Sequence, residues 1–394
     1  MTSPASYQRI GIVGAGTIGS GIALLTATLG ATTTVVVAPR PGGVERARAL
    51  LGRSFAGEVK RGKLTPEDAE AALSRMVFSP DYAALAGCEF VVESVAEDLQ
   101  TKREVLAQVE AHTGPECIFG SNTTSIPIGQ IAAHAARPGN AVGMHYFWPA
   151  QRYKLVEVAR PVAATPDTME RVSAFMRWQG KTVLLTSDTP GFFTSRVLMA
   201  FIAECVALMV EGAPIERIDA ALTGWGWPMG PFRLMDTLGI ENMRGWQAWL
   251  RPVMGERMDA MARLWPALEA GHTGAKHGKG FYRYPDGQRA DERVPALVGA
   301  GGGGAALSDE ELVRRPVFQL LNEIGWCLAE GVVESPQAAD LGALLGIGWP
   351  QARGGGPLGW AKEIGPANLM AQLSQWAEQI GPRFAPAPAL LERF

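Results

Sequence analysis

Short apolar bursts alternate with longer stretches of helical spacing through the first half of the chain, and this alternation predicts strand and helix units built around a parallel sheet. Arg9–Val13, Thr33–Ala38, Phe90–Ser94 and Cys117–Ser121 read as buried strands. Thr17–Leu29, Val44–Arg61 and Pro66–Met76 read as helices, the last with a capped start at Thr65-Pro66-Glu67. The acidic opening of VAEDLQTKREVLAQVE predicts a further helix after Ser94. Ala141–Tyr146 and Lys154–Ala159 read as two strands whose spacing, with a loop over Pro149, allows them to be adjacent, followed by a capped helix over Pro166–Trp178 and a last strand over Thr182–Thr186. From Pro190 the pattern changes to long apolar helical runs without strands. The expected architecture is α/β, a doubly wound sheet followed by all-α domains.

The helical part repeats. ECVALMVEGAPIERIDAAL from Glu204 is echoed by EIGWCLAEGVVESPQAADL from Glu323, so that Glu211-Gly212 matches Glu330-Gly331, Asp219 matches Asp340 and Trp227-Pro228 matches Trp349-Pro350. A glycine-rich segment separates the copies. The implied boundaries are a nucleotide-binding domain over 5–187, a first helical domain over 188–296, a linker over 297–307 and a second helical repeat domain over 308–394.

Composition narrows the function classes. The 394 residues are 47% hydrophobic and 19% charged, enough for two or three buried cores. A net charge of -3 without a basic stripe argues against nucleic acid and acidic membrane surfaces as partners. No apolar run is long enough to span a bilayer, and MTSPASYQRI has neither a positive leader nor an apolar segment, which predicts a cytoplasmic protein. Cys88, Cys117, Cys205 and Cys327 are far apart in apolar segments without metal-ligand spacing, so they read as reduced core residues and no metal site is expected.

Chemistry concentrates in four places. GAGTIGSG sets Gly14, Gly16 and Gly19 at GxGxxG spacing between a strand and a helix that opens with Thr17 and Ile18. The first two glycines permit a tight turn and close approach of a pyrophosphate, the third allows helix and strand to pack, and the helix N-terminus attracts phosphates, as in a Rossmann-type fold. The second strand should end in an acid for the adenine ribose, but Ala38 stands there and Arg40 follows. Arg40 is either a partner for a 2′-phosphate or a solvated loop cation. Glu97 and Lys102 fall where a strand gives way to a helix, the ligand-facing edge of a parallel sheet, although surface salt-bridge partners would look the same. SNTTSIP, with Asn122 and Thr124, is either a helix cap or a polar lining around a reacting oxygen. Finally, GMHYFWPAQRYKLVEV carries His145 and Glu157, a base and its orienting acid if the two strands are neighbours. The alternative is a strand-end histidine with a glutamate on a solvated edge.

Taken together, GAGTIGSG, VVESVAEDLQTK, SNTTS, HYFWPAQRYKLVEV, DTPGFFTSRVL, GWPMGPFRLMDTLG and GKGFYRY resemble the L-3-hydroxyacyl-CoA dehydrogenase family in order and across nearly the whole chain. The duplicated helical part resembles the dehydrogenase portion of the α-subunit of bacterial fatty-acid oxidation complexes, here without the enoyl-CoA hydratase half. The resemblance implies an NAD(P)-dependent oxidoreductase interconverting an L-3-hydroxyacyl-CoA and a 3-ketoacyl-CoA. His145 is then the proton acceptor, Glu157 its orienting partner and Thr124 the hydroxyl near the reacting oxygen. Gly14, Gly16, Thr17, Ile18, Gly19, Arg40, Glu97, Lys102 and Asn122 fall on the cofactor side, with NAD ranked slightly ahead of the NADP that Ala38 and Arg40 permit. Two positions depart from the family pattern: Trp148 and Ser195 replace asparagines on the substrate side. They imply a reshaped acyl site with Trp148 lining it beside His145. Two alternatives stand beside this reading, a dehydrogenase of a related 3-hydroxy acid lacking CoA and a non-catalytic nucleotide- or acyl-CoA-binding descendant. Single-repeat relatives pair through the helical domain, so the second repeat predicts a monomer or a homodimer built differently.

Overall fold

Val- and Ile-rich runs that are buried on both faces form the sheet the alternation predicts. The computed structural model describes residues 7–285, 290–293 and 307–392. It divides into two units, Met1–Thr189 and Pro190–Phe394. In the first, the chain runs β1 (Arg9–Val13), α1 (Thr17–Thr28), β2 (Thr33–Val37), α2 (Gly43–Lys60), α3 (Pro66–Ser74), β3 (Met76–Ser79), β4 (Phe90–Glu93), α4 (Leu99–His112), β5 (Ile118–Ser121), α5 (Ile128–Ile131) and β6 (Ala141–Gly143). These strands make a parallel six-stranded sheet ordered β3-β2-β1-β4-β5-β6, the Rossmann order that places the ends of β1 and β4 at the topological switch point. Thr65, Asp98 and Thr165 each accept a backbone N–H at a helix start, as the sequence suggests for the first of them.

Two expectations are corrected here. The helix expected over Pro66–Met76 stops at Ser74, and Met76 opens β3, a strand of four residues that is too short to show a period distinct from that of the preceding helix. The strand expected over Ala141–Tyr146 is two. Ala141–Gly143 belongs to the large sheet, while β7 (His145–Tyr146) turns away to pair antiparallel with β8 (Leu155–Arg160). Gly143 allows the crossing, because a Cβ there would come within 2.7 Å of the Ala159 side chain. After α6 (Pro166–Trp178), β9 (Thr182–Ser187) pairs parallel with β8, so the last strand completes a separate three-stranded sheet rather than the nucleotide sheet.

The second unit contains α7 (Thr194–Val210), α8 (Ile215–Trp225), α9 (Pro231–Leu238), α10 (Ile240–Met254) and α11 (Trp265–Glu269), then α12 (Asp309–Ala329), α13 (Pro336–Gly342), α14 (Pro357–Ile364) and α15 (Pro366–Gln379). A short hairpin, β10 (Tyr282–Arg283) with β11 (Ala290–Arg293), departs from the expectation of a strand-free region. Asp236, buried in α9, draws this segment in by accepting the N–H groups of Phe281 and Tyr282 and the hydroxyl of Tyr284. All but the last residue of the glycine-rich linker expected at 297–307 lies outside the described residues.

Repeated residues hold equivalent places in this unit. Asp219 accepts Phe232 N at the start of α9, and Asp340 accepts Leu358 N at the start of α14. A Cβ on Gly226 would meet Pro350, and one on Gly348 would meet Pro228. Arg196 of α7 reaches Glu323 of α12 and Glu330 just past its end, while Arg315 of α12 reaches Glu204 of α7 and Glu211 just past its end. Arg257 also binds Glu323, and Arg383 binds Glu204. Such reciprocal contacts are those of a self-complementary two-fold interface, formed here within one chain.

Candidate active site

The glycine turn at the end of β1 is set by close packing on the protein side and open space on the other. Gly14 has φ +93, and a Cβ there would approach Ser94 O to 2.5 Å. Gly19 lies so close beneath that its Cβ would sit 2.0 Å from Gly14 O, so the third glycine is what lets α1 rest against the turn. At Gly16 the backbone is extended and nothing comes within 4 Å of a Cβ. Gly16 and Thr17 are exposed, Ile18 is half-buried, and α1 begins without a side-chain cap or an acid in its first turn. An N-terminus with unsatisfied N–H groups beside open space accepts an anion, so these residues fit a dinucleotide pyrophosphate. At the end of β2, Ala38 is buried and Arg40 exposed, and among the described residues the Arg40 guanidinium has no partner.

Below the turn lies a buried charge network. Lys102 is only 1% exposed, and its Nζ lies 2.9 Å from Glu93 and 3.5 Å from Glu97. Burial opposes its charge, but the two carboxylates and their hydrogen bonds outweigh this and raise its pKa. Glu93 also accepts the Ser121 hydroxyl at 2.6 Å and Val95 N at 2.7 Å. Glu97 Oε1 accepts the Thr123 and Ser125 hydroxyls and the N–H groups of Thr124 and Ser125. Burial pushes the Glu97 carboxyl up, yet Lys102 and these donors hold it below its ordinary value. Thr123 and Ser125 are committed, whereas Thr124 is half-buried and its hydroxyl has no hydrogen bond among the described residues. Asn122 donates to Ser94 Oγ and accepts Tyr146 N, tying the end of β5 to the neighbouring turn and to β7. Asp188, just past β9, accepts the N–H groups of Ile128 and Gly129 and so anchors the far end of the same loop.

His145 and Glu157 are directly opposed in the β7–β8 register, and His145 Nδ1 lies 2.7 Å from Glu157 Oε2. Glu157 is completely buried and His145 nearly so. A carboxylate at that distance accepts a hydrogen bond from Nδ1–H and so favours the tautomer with Nε2 as the acceptor nitrogen, the form a general base needs. The ring of Phe147 lies 4.7 Å from the imidazole, with Tyr153 stacked behind it at 6.1 Å. Trp148 is 58% exposed and precedes a cis peptide bond to Pro149. Ser195 is buried in the first turn of α7, in the second unit. Among the described residues no group of three or more His, Cys, Asp or Glu could hold a metal ion.

Residues 9–189 match the NAD-binding domain of 3-hydroxyacyl-CoA dehydrogenase, and residues 191–284 match its C-terminal domain. The chain belongs to the 3-hydroxyacyl-CoA dehydrogenase family. It is 36% identical to the fatty acid oxidation complex subunit alpha of Shewanella sp. (strain ANA-3), an alignment covering 98% of this chain and 55% of that protein. The chain thus spans about half the length of the curated relatives it matches. It is 32% identical to the (S)-3-hydroxybutyryl-CoA dehydrogenase of Ralstonia eutropha, with a TM-score of 0.67 over 71% of this chain and all of that one (100%). A 3-hydroxybutyryl-CoA dehydrogenase from Escherichia coli K12 shares the fold, with a TM-score of 0.82 over 98% of both chains at 24% identity.

Within this 3-hydroxyacyl-CoA dehydrogenase fold, the first unit gathers Gly14, Gly16, Gly19, Glu97, Lys102, Asn122, Thr124, His145 and Glu157 at or next to the carboxyl edge of the sheet. Lys102 and Glu97 stand behind the loop, holding it, rather than presenting charge outward. Sequence reasoning overlooked Glu93, Phe147 and Asp188. An acid ending the apolar burst FVVE was the available signal for Glu93, whereas nothing local distinguishes Phe147 from its aromatic neighbours.

Proposed function

We propose that the chain interconverts an L-3-hydroxyacyl-CoA and the corresponding 3-ketoacyl-CoA with a nicotinamide cofactor. The observation that carries this reading is the buried His145–Glu157 pair, 2.7 Å apart across β7 and β8 beside a dinucleotide turn. A nicotinamide dinucleotide, when bound at Gly14–Gly19, supplies the hydride-accepting ring. In the oxidation direction His145 Nε2 takes the proton of the substrate 3-hydroxyl, and Glu157 stabilises the imidazolium that forms. The Thr124 hydroxyl, on a residue whose backbone N–H is held by Glu97, is read as the donor to the same oxygen. In the reverse direction His145 returns the proton.

NAD remains slightly ahead of NADP in this reading. Buried Ala38 offers no carboxylate to repel a 2′-phosphate, and Arg40 is available to meet one, so use of both is expected. The second unit is read as two repeat domains, 188–296 and 308–394, whose mutual Arg–Glu interface takes the place of a partner subunit and favours a monomer. Four buried free thiols suit the reducing cytoplasm, and no described helix is long and apolar enough to cross a membrane.

The test is oxidation of NADH and of NADPH with acetoacetyl-CoA and a longer 3-ketoacyl-CoA, in wild type and in His145→Gln. Loss of the general base should lower kcat by about 10²- to 10⁴-fold and leave cofactor affinity nearly unchanged. Glu157→Gln should act in the same sense but less. Near-normal turnover in the histidine variant would show that the base lies elsewhere.

A further inference from the structure

Burying an ammonium without a carboxylate beside it costs free energy, and the fold accepts that cost at Lys181. This residue lies between α6 and β9, half-buried, and among the described residues no carboxylate pairs with it. Its Nζ donates instead to two main-chain carbonyls, Ala150 O at 2.5 Å and Tyr153 O at 2.6 Å. Both belong to the loop of residues 147–154 that joins β7 to β8. The charged group facing it is Lys154, and the ring of Tyr146 lies 5.9 Å from Nζ with its hydroxyl bonded to Gln179. Arg152, on the same loop, is committed to Glu58. Burial first, then Lys154, lowers the Lys181 pKa to about 8.

The loop needs external anchors. Its own backbone bonds are those from Arg152 N and Tyr153 N to Pro149 O. Glu58, near the end of α2, grips its outer side through Gln151 and Arg152. Its inner side backs onto α1, where a Cβ on Gly21 would come within 3.2 Å of the Ala150 side chain. Among the described residues Lys181 alone bridges two main-chain points of the loop through its side chain, and between them and β7 stands Phe147, the ring that packs on His145.

We propose that Lys181 is a positioning residue, whose ammonium clasps Ala150 and Tyr153 and so holds the loop that presses Phe147 against His145 and shapes the acyl side of the site. The proposal rests on the dehydrogenase reading for its kinetic consequence but not for the clasp itself. Lys181→Met keeps the side chain's length and removes all donors. Lys181→Arg keeps donors and charge at every accessible pH.

Amide hydrogen exchange of residues 147–154 and steady-state kinetics with acetoacetyl-CoA should be measured on both variants and wild type between pH 7 and 9.5. The clasp predicts faster exchange confined to this loop in Lys181→Met. The acyl-substrate KM should rise about tenfold, the scale on which a charge-assisted hydrogen bond is felt, while the cofactor KM stays unchanged. In wild type the same KM should climb above about pH 8 as the charge is lost, and Lys181→Arg should flatten that climb. A merely structural role would instead raise both KM values and speed exchange throughout the unit. If Lys181→Met fails to fold, the wild-type and Lys181→Arg profiles decide alone, and coincident profiles overturn the proposal. Unchanged loop exchange in Lys181→Met overturns it whether or not the wild type is active, whereas an inactive wild type overturns the dehydrogenase reading.

Discussion

At the scale of single residues, the site depends on which polar atoms are spent and which are kept. Glu97 gathers four donors from Thr123–Ser125, and this uses up two of the three hydroxyls of the cluster while presenting the third. The alternative that the sequence left open, a helix cap, does not form: α5 begins at Ile128 without a side-chain cap, and the Thr123 hydroxyl instead closes a turn by accepting Ile126 N. Phe147 occupies the place against His145 that the sequence reading gave to Trp148, whose indole is largely exposed. Trp148 can still meet a bound acyl group, since an indole offers a broad apolar face with one donor and no acceptor. Trp148→Asn should change relative kcat/KM across a chain-length panel of 3-hydroxyacyl-CoAs on the order of 3- to 10-fold, the effect of a ring contact worth about 1 kcal/mol. An unchanged profile would remove Trp148 from the site.

At the scale of elements, the second and third glycines of one motif separate into different physical roles. Gly19→Ala would drive a Cβ into Gly14 O, so it should impair folding and cofactor binding together. The Cβ of Gly16→Val comes within 4 Å of no protein atom and the backbone conformation there is open to any residue, so thermal stability should hold. Its cofactor KM should rise at least about tenfold, because only the ligand needs that space. Calorimetry with kinetics on both variants checks the contrast, and equal stability losses would refute it.

The tie between α9 and the β10 segment is pH-sensitive. Burial raises the Asp236 pKa to about 6, against backbone and Tyr284 bonds that pull it down. A carboxyl raised above its unfolded value contributes stability that is present in full below about pH 4 and is lost as pH rises through about 6, on the order of 2–3 kcal/mol. Asp236→Asn should therefore flatten the dependence of Tm on pH across that window. A slope identical to wild type would assign the effect to other groups.

At the scale of the molecule, the second unit is held by charges that local sequence gives no reason to pair. Arg196, Arg257, Arg315 and Arg383 meet Glu204, Glu211, Glu323 and Glu330, with Glu204, Glu323, Arg196 and Arg315 almost wholly buried. Removing one member of such a set strands a partner's charge in a low dielectric, which typically costs about 3–5 kcal/mol. Arg315→Met should lose that much in denaturant unfolding, and adding Glu204→Gln should recover part of it by removing the stranded charge. A loss below about 1 kcal/mol would mean that the network behaves like surface pairs.

The sequence by itself determined what neighbours along the chain decide. An apolar run makes Arg9–Val13 a strand, the spacing of Gly14, Gly16 and Gly19 makes the turn, Thr65 caps α3, and recurrence of Asp219 as Asp340 announces the repeat. The tertiary structure decided what depends on register and on contacts far apart in sequence. His145 and Glu157 could have been unrelated until β7 left the large sheet to oppose β8. Lys102 could have faced a ligand until Glu93 and Glu97 enclosed it, and Arg196 meets a glutamate at a separation of 134 residues. Backbone propensity and hydrophobic period are local quantities. The pairing of buried charges is set only when packing excludes water from both partners at once.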